Sequence, residues 1–396
     1  MSAIVDAKQL SGLRDRGTRP LCLFSGGLDS AYLLNLLAQH GFHDVLALNV
    51  FLGGCDAPDR GERLCHELGI EYLQIDRREE FAEGYVLPAI AASALYLGRH
   101  PISASLSRPL IARAAVETAR SRGCNAIFHT STRSQNSLRR FNGAIASLGF
   151  DGLFGSIFED TAISRQDKIA KLAEWGYSEY RSRVLSVDDN LWGRCVESGV
   201  LDDPEDVAPT EGLFTCPAAS SEGGLDLTID IRRGRPVALD GEDCDLVDLI
   251  ERLRAVGERC RLGRYIGLEE VGNGAKVQEC HEMAAGAILF DAFRRVESGC
   301  LSDACIREKM GIAQVWVREA VEGRWFGPLR RAAQAFLFDM ASEVSGTVRY
   351  RVSDKSLDLV ALISERPLYI RSRQQLESGV GACPVTDVAA PSVVRA

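Results

Sequence analysis

Apolar positions along the chain change period in a way that separates two regions. Between residues 20 and 174, short apolar runs alternate with stretches whose apolar positions recur every three or four residues. The runs at 21–24, 44–51, 71–76, 125–129 and 152–156 predict buried strands. Helical spacing predicts helices in four places: from Leu28 through Ala31, Leu33, Leu34, Leu36 and Leu37; around Leu64, Cys65 and Leu68 after a cap at Asp56; over 106–119; and over 168–174. Such alternation predicts an α/β fold with a parallel sheet and ligands at the carboxyl ends of its strands. Beyond about residue 210 the pattern becomes that of an α+β domain. Residues 225–237 alternate as a hairpin strand, 244–256, 288–296, 302–322 and 329–345 are amphipathic, and Asp354-Lys355-Ser356 mark a hairpin turn.

The sharpest local signal is residues 20–37, PLCLFSGGLDSAYLLNLL, which read as strand, glycine turn and helix. The first N–H groups of a helix lack internal partners and carry about half a positive charge, so an anion is favoured there. Gly26 and Gly27 allow close backbone approach, Ser25 and Ser30 add hydroxyl donors, and Asp29 offers a carboxylate that could hold Mg²⁺. The turn predicts a polyphosphate cradle. It contains neither the Walker Gly-Lys-Ser/Thr nor the GxGxxG fingerprint. SGGLDS resembles the PP-loop of ATP pyrophosphatases, which cut ATP between the α and β phosphates.

Composition narrows the class. The 396 residues, 46% hydrophobic and 26% charged, suit a folded globular chain with more than one domain. A net charge of -9 argues against broad nucleic-acid contact. No run of about 18 apolar residues is present, and the first 19 residues lack an apolar signal region, so no membrane partner and a cytoplasmic location are expected. The twelve cysteines contain no CxxC, which predicts small buried hydrophobes and reduced thiols rather than a disulfide framework or a zinc site. A tRNA-thiolating enzyme would need a cysteine pair and a basic face, and neither is evident.

Two polar segments remain. Residues 130–140, TSTRSQNSLRR, follow the strand at 125–129 and therefore lie on the cradle's rim, which favours a substrate loop. Residues 185–194, LSVDDNLWGR, read by composition as a polar turn. His129 reads as a structural strand-end histidine, and Cys195 as a small core residue.

Taken together, SGGLDS, SRPLIA at 107–112, the His-x-x-Thr-x-x-x-Asn loop and SVDDNLWGR...GVLDDP over 186–204 resemble argininosuccinate synthase in order and spacing. GRPVALDG at 234–241 and the Gly263-Arg264...Glu269 stretch continue the likeness, which spans roughly residues 20–350. The resemblance implies an N-terminal parallel-sheet PP-loop ATP pyrophosphatase domain over 19–208 and an α+β synthetase domain over 209–372, flanked by a peripheral 1–18 and a tail at 373–396. It implies ATP and Mg²⁺, adenylation of a citrulline-like ureido oxygen, and displacement of AMP by an amine. The partners implied are small molecules: an amino-acid-like acceptor and an amine.

By position, the resemblance places Phe24, Ser25, Gly26, Gly27, Leu28, Asp29, Ser30, Val50 and Thr130 at the nucleotide, with Asp29 and Ser30 in the chemistry. It places Tyr96, Asn136, Arg140, Ser186, Cys195, Glu269 and His281 at the acceptor, and Thr132, Asn136 and Ser137 at the amine. Several positions depart from the family pattern. The SGGLDTS loop retains Ser30 but has Ala31 after it, Thr130 replaces a glycine, Ser137 an acid, Cys195 a serine, His281 a tyrosine, and Leu97 an acid beside Tyr96. The flexible Gly-Lys-Gly of the family's loop is Arg133-Ser134-Gln135. These changes predict an altered amine substrate in a ligase of specialised metabolism, with genuine argininosuccinate synthase and a non-catalytic nucleotide binder as alternatives. The family's long C-terminal helix is not evident in the tail, so a homo-oligomer other than the family tetramer is expected.

Overall fold

The computed structural model describes residues 3–54, 59–161, 163–182, 185–207, 212–215, 224–272 and 274–378. Its N-terminal half is a six-stranded parallel sheet. From one edge to the other run Glu71–Asp76, Leu46–Phe51, Pro20–Leu23, Ala126–His129, Leu153–Ser156 and Ala3–Ile4. Successive side chains of a strand face opposite ways. Cys22 and Phe24 therefore pack with Leu33, Leu34 and Leu37 of the helix Leu28–Gln39 on one face. Leu21 and Leu23 pack with Ala115, Val116 and Ala119 of the helix Ala104–Arg122 on the other. Burial on both faces explains why these strands read as unbroken apolar runs. The N-terminal stretch, expected to be peripheral, supplies the outer edge strand and buries Leu10 and Leu13.

Strand order reverses at Pro20–Leu23, whose neighbours on either side are Leu46–Phe51 and Ala126–His129. A crevice opens at the carboxyl ends of strands where such a reversal occurs, and the glycine turn and Thr130 both lie there.

Two readings of the polar segments are corrected. The loop expected over 130–140 ends early, because the helix Asn136–Ser147 begins inside it and buries Asn136, Arg140, Phe141, Ala144 and Ile145. The polar turn at 185–194 is a hairpin, Ser186–Asn190 against Gly193–Glu197, closed by Leu191 and Trp192. Of its strand residues only Val196 joins an apolar cluster, with Leu201, Leu213 and Cys280, while Ser186, Asp188, Cys195 and Glu197 line the cleft, so the hydrophobic alternation that signals a strand is weak. Trp192 is fully buried, and its indole N–H donates to the Ile102 carbonyl at 3.1 Å.

That hairpin joins Arg264–Gly272 and Ala275–Glu282 in a four-stranded antiparallel sheet. His281, which the resemblance places at the acceptor, therefore sits on a strand directly opposite Cys195. A five-stranded antiparallel sheet, ordered Glu242–Asp243, Arg235–Leu239, Leu225–Arg232, Gly346–Ser353 and Ser356–Ser364, completes the C-terminal half. Helices Leu246–Arg259 and Ala284–Cys300 form its largest core with Leu227, Ile229, Val348 and Tyr350. The predicted cap Asp56 and the tail from 379 onward lie outside the described residues. Among the described residues, no helix is long and apolar enough to cross a membrane.

Candidate active site

The glycine turn is built as its sequence requires. Gly26 adopts φ +69°, a left-handed conformation natural only to glycine, and Gly27 caps the helix Leu28–Gln39 in extended geometry with no side-chain cap bond. The leading amides of the helix thus remain open to a ligand. Ser30 is buried; its hydroxyl donates to the Gly27 carbonyl at 3.1 Å and lies 3.3 Å from the Ser25 hydroxyl. Asp29 is held by a residue that local sequence gives no reason to single out, as Lys168 Nζ lies 2.8 Å from Asp29 Oδ1 and over the Phe158 ring.

A cleft with a cavity volume of ≈ 280 Å³ opens from this turn. Phe24, Ser25, Gly26, Gly27, Leu28, Asp29, Val50 and Thr130 line it, together with Ser186 and Cys195 further along. A smaller cavity of ≈ 40 Å³ continues inward and is lined by Tyr96, Asn136, Arg140, Glu269 and His281. Ser137, Asp188, Cys195 and Glu197 border both cavities. Thr132 lines neither; its amide donates to Gln135 Oε1 at 3.1 Å, and its hydroxyl lies 2.9 Å from that of Ser134. Ser30, beneath the turn, lines neither as well.

In the inner cavity the buried Arg140 is fixed from two sides. It donates to Glu269 Oε1 at 3.2 Å and to the Val321 carbonyl at 3.1 Å. Asn136 donates to the same Glu269 oxygen at 2.9 Å. Burial works to raise the Glu269 pKa, but Arg140 and the facing His281 outweigh it and leave the carboxyl below its usual range. The other arginines of the segment face outward, Arg133 pairing with Asp160 and Arg139 with Glu322. Sequence resemblance had singled out Arg140 among the three.

Several site residues were not visible in the sequence. Arg108, on the helix Ala104–Arg122, donates to Ser137 Oγ at 3.2 Å and pairs with Asp188 at 2.8 Å. Half-buried Glu197 and buried Glu279 are carboxyls whose pKa values are pushed upward, by desolvation first and then by neighbouring carboxylates. His100 and His281 stack with ring centroids 3.8 Å apart, and burial lowers both to about 4. Only the SRPLIA and SVDDN motifs hinted at Arg108 and Asp188.

His129 behaves as the structural histidine its position suggested. It is 1% exposed, Nε2 lies 2.9 Å from Asn142 Oδ1, and burial lowers its pKa to about 4. A folded-state pKa below the unfolded one means the unfolded chain binds the proton first. Its stabilisation is complete above about 6.5 and is lost as pH falls toward 4. Between pH 7 and pH 5 that loss is about 2 kcal/mol. His129→Gln keeps a polar partner for Asn142 but cannot titrate, so its urea-unfolding free energy is expected to fall less over that interval by about this amount. An unchanged pH dependence would refute the assignment.

Two family models divide the chain much as this architecture does. A family model described as "Arginosuccinate synthase N-terminal HUP domain" matches residues 21–176, and one described as "Arginosuccinate synthase C-terminal domain" matches 185–379. The argininosuccinate synthase of Rubrobacter xylanophilus is 35% identical over 89% of this chain and 87% of its own length. That of Synechococcus elongatus is 33% identical over 89% and 90%. An NH3-dependent NAD synthetase structure from Campylobacter jejuni aligns at 14% identity with TM-score 0.30, over 45% of this chain and 78% of that one. The two matched segments meet at the hairpin that carries Ser186 and Cys195, and the relatives span both halves of the cleft: the chain is an ATP-dependent carbon–nitrogen ligase of the argininosuccinate synthase family.

Proposed function

We propose that the protein joins citrulline to aspartate, with ATP cleaved to AMP and pyrophosphate. The observation that carries this reading is the continuity of the cleft from the glycine turn to the Asn136, Arg140 and Glu269 cluster. ATP lies with its polyphosphate against the open amides after Gly27 and the hydroxyl of Ser25. The acceptor occupies the inner cavity, with its ureido oxygen directed to the α phosphorus. A C–O–P bond forms there and the α–β bridging P–O bond breaks, releasing pyrophosphate. The amine then attacks the activated carbon, loses a proton, and AMP departs with the former ureido oxygen. The site's contribution is positioning and pre-set dipoles, and no covalent enzyme intermediate is required.

Mg²⁺ fits this cradle. Asp29 Oδ1 is engaged by Lys168, while the second carboxylate oxygen makes no bond among the described residues, and one carboxylate plus phosphate oxygens is a common set for this ion. Bound there, the ion would draw charge from the leaving pyrophosphate.

An altered amine is a second reading, carried by Ser137. The hydroxyl that stands in place of an acid receives an N–H from Arg108 and brings no charge to meet an ammonium. Asp188, paired with Arg108, borders the same space and supplies a carboxylate for the first reading. Release of AMP and pyrophosphate with citrulline plus aspartate, against citrulline plus a panel of other amines, separates the two. Turnover with aspartate supports the first; turnover only with another amine replaces it, and none with any amine sinks both. Ser137→Asp is expected to lower the KM for aspartate about 10-fold, the worth of one charged hydrogen bond. A raised KM would show that the amine does not approach this position.

A further inference from the structure

The floor of the inner cavity, where the acceptor is placed, carries a cluster of metal-ligating side chains. Cys195, Glu279 and His281 come from the paired strands Gly193–Glu197 and Ala275–Glu282, and 6%, 8% and 5% of their surfaces are exposed. One donor atom from each lies within 4.8 Å of the other two. Cys195 Sγ is 3.3 Å from Glu279 Oε2, and His281 Nε2 is 3.4 Å from the same oxygen. Among the described residues, neither ring nitrogen of His281 has a hydrogen-bond partner, which is costly for a side chain this deeply buried.

We propose that Cys195, Glu279 and His281 bind a zinc ion, with the fourth coordination position open to the cavity. The geometry supports this directly. Ordinary zinc bond lengths in a tetrahedron put the nitrogen–oxygen edge at about 3.3–3.5 Å and the edges to sulfur at about 3.5–3.7 Å. The 3.4 Å between His281 and Glu279 matches the first, and the 3.3 Å between Cys195 and Glu279 would open by about 0.2–0.4 Å on binding. Charge points the same way. Asp188 pairs with Arg108 and Glu269 with Arg140, whereas neither Glu197 nor Glu279 pairs with a Lys or Arg among the described residues. A divalent ion bonded to Glu279 would offset the cost of charging this buried acid.

A second donor set, His100, Glu269 and His281, is also close together. It is less suited, because Glu269 Oε1 is already occupied by Arg140 and Asn136. Ring stacking also keeps an ion in the plane of one imidazole out of the plane of the other. His100 instead backs the His281 ring, with its own Nδ1 3.2 Å from the Pro101 carbonyl. A thiolate, an imidazole and a carboxylate select zinc over Mg²⁺ or Ca²⁺, which take oxygen ligands. Binding displaces the Cys195 thiol proton to solvent and oxidises nothing. The site is independent of the identity of the amine and of the phosphate chemistry.

The test uses the untagged full-length chain, loaded with Zn²⁺, freed of excess by gel filtration and analysed for metal. About one equivalent per chain is expected, falling at least ~10-fold in Glu279→Gln and His281→Gln. With Co²⁺ in place of Zn²⁺, a thiolate charge-transfer band is expected in the wild type and lost in Cys195→Ser. Far-UV circular dichroism of each variant separates metal loss from unfolding, and the cobalt band in the wild type tests the ligand set without any variant. Less than about a tenth of an equivalent, a cobalt complex without the thiolate band, or undiminished zinc in a folded Glu279→Gln or His281→Gln protein would overturn the site.

Discussion

Lys168→Met is expected to reduce AMP and pyrophosphate formation about 100-fold at low Mg²⁺ while leaving the fold intact. Lys168 reaches the cradle from a helix that begins at Arg165, and its ammonium neutralises Asp29 at 2.8 Å. Without it, a bare carboxylate faces the incoming polyphosphate. Two unit charges about 4 Å apart interact by about 4 kcal/mol at the effective dielectric of a protein surface, so even a fraction of that repulsion suffices. The fold survives because Asp29 is partly exposed, with 34% of its side chain open to water. Raising Mg²⁺ is expected to restore several-fold activity in this variant by supplying the missing positive charge. Asp29→Asn would not respond in that way, having lost the oxygen that the ion needs. Steady-state pyrophosphate release over a Mg²⁺ series measures all three proteins. Wild-type activity in Lys168→Met, or a loss that Mg²⁺ deepens, would show that the lysine does not serve the phosphate site.

Arg140→Met is expected to cost about 3–5 kcal/mol of stability and to abolish ligation, the largest single effect on stability among these substitutions. Arg140 is 4% exposed and Glu269 7%, and the pair is further tied to Asn136 and the Val321 carbonyl. Removing the guanidinium strands a carboxylate in a buried cavity that already holds Glu279 and Glu197. The double variant Arg140→Met with Glu269→Gln removes both charges and is expected to recover most of the stability, but no activity. Urea titrations of the wild type, both single variants and the double variant form a thermodynamic cycle in which the pair should couple by more than about 2 kcal/mol. A loss below about 1 kcal/mol in Arg140→Met would mean that water already shares the site and that the pair is not the anchor described.

Much of the N-terminal half was legible because its signals are local. The run from Pro20 to Leu23, the two glycines and the helix from Leu28 are encoded within a few residues, and Gly26 occupies the left-handed conformation that the turn needs. The parallel sheet follows from doubly buried strands, whose apolar runs are short and unbroken. Where strands are polar the same reasoning failed. Ser186–Asn190 pairs with Gly193–Glu197 yet reads as a turn, since Ser186, Asp188 and Glu197 line the cleft and only Val196 enters an apolar cluster. The helix start at Asn136 was missed because Gln135 precedes it with no side-chain cap bond.

What the sequence determined by itself was therefore the strand, glycine turn and helix at residues 20–37, the alternating strands and helices around them, and a set of motifs specific enough to point to the argininosuccinate synthase family. What only the tertiary structure decided was which distant residues share a space. Lys168 lies 139 positions from Asp29, Glu269 lies 129 from Arg140, and Glu279 lies 84 from Cys195. Periodicity and capping are carried by neighbours in the chain, so they can be read in order. The charge balance of a buried site depends on which strands pair and in what register, and here the pairing of Cys195 with His281 across two strands brings thiol, carboxylate and imidazole to one point.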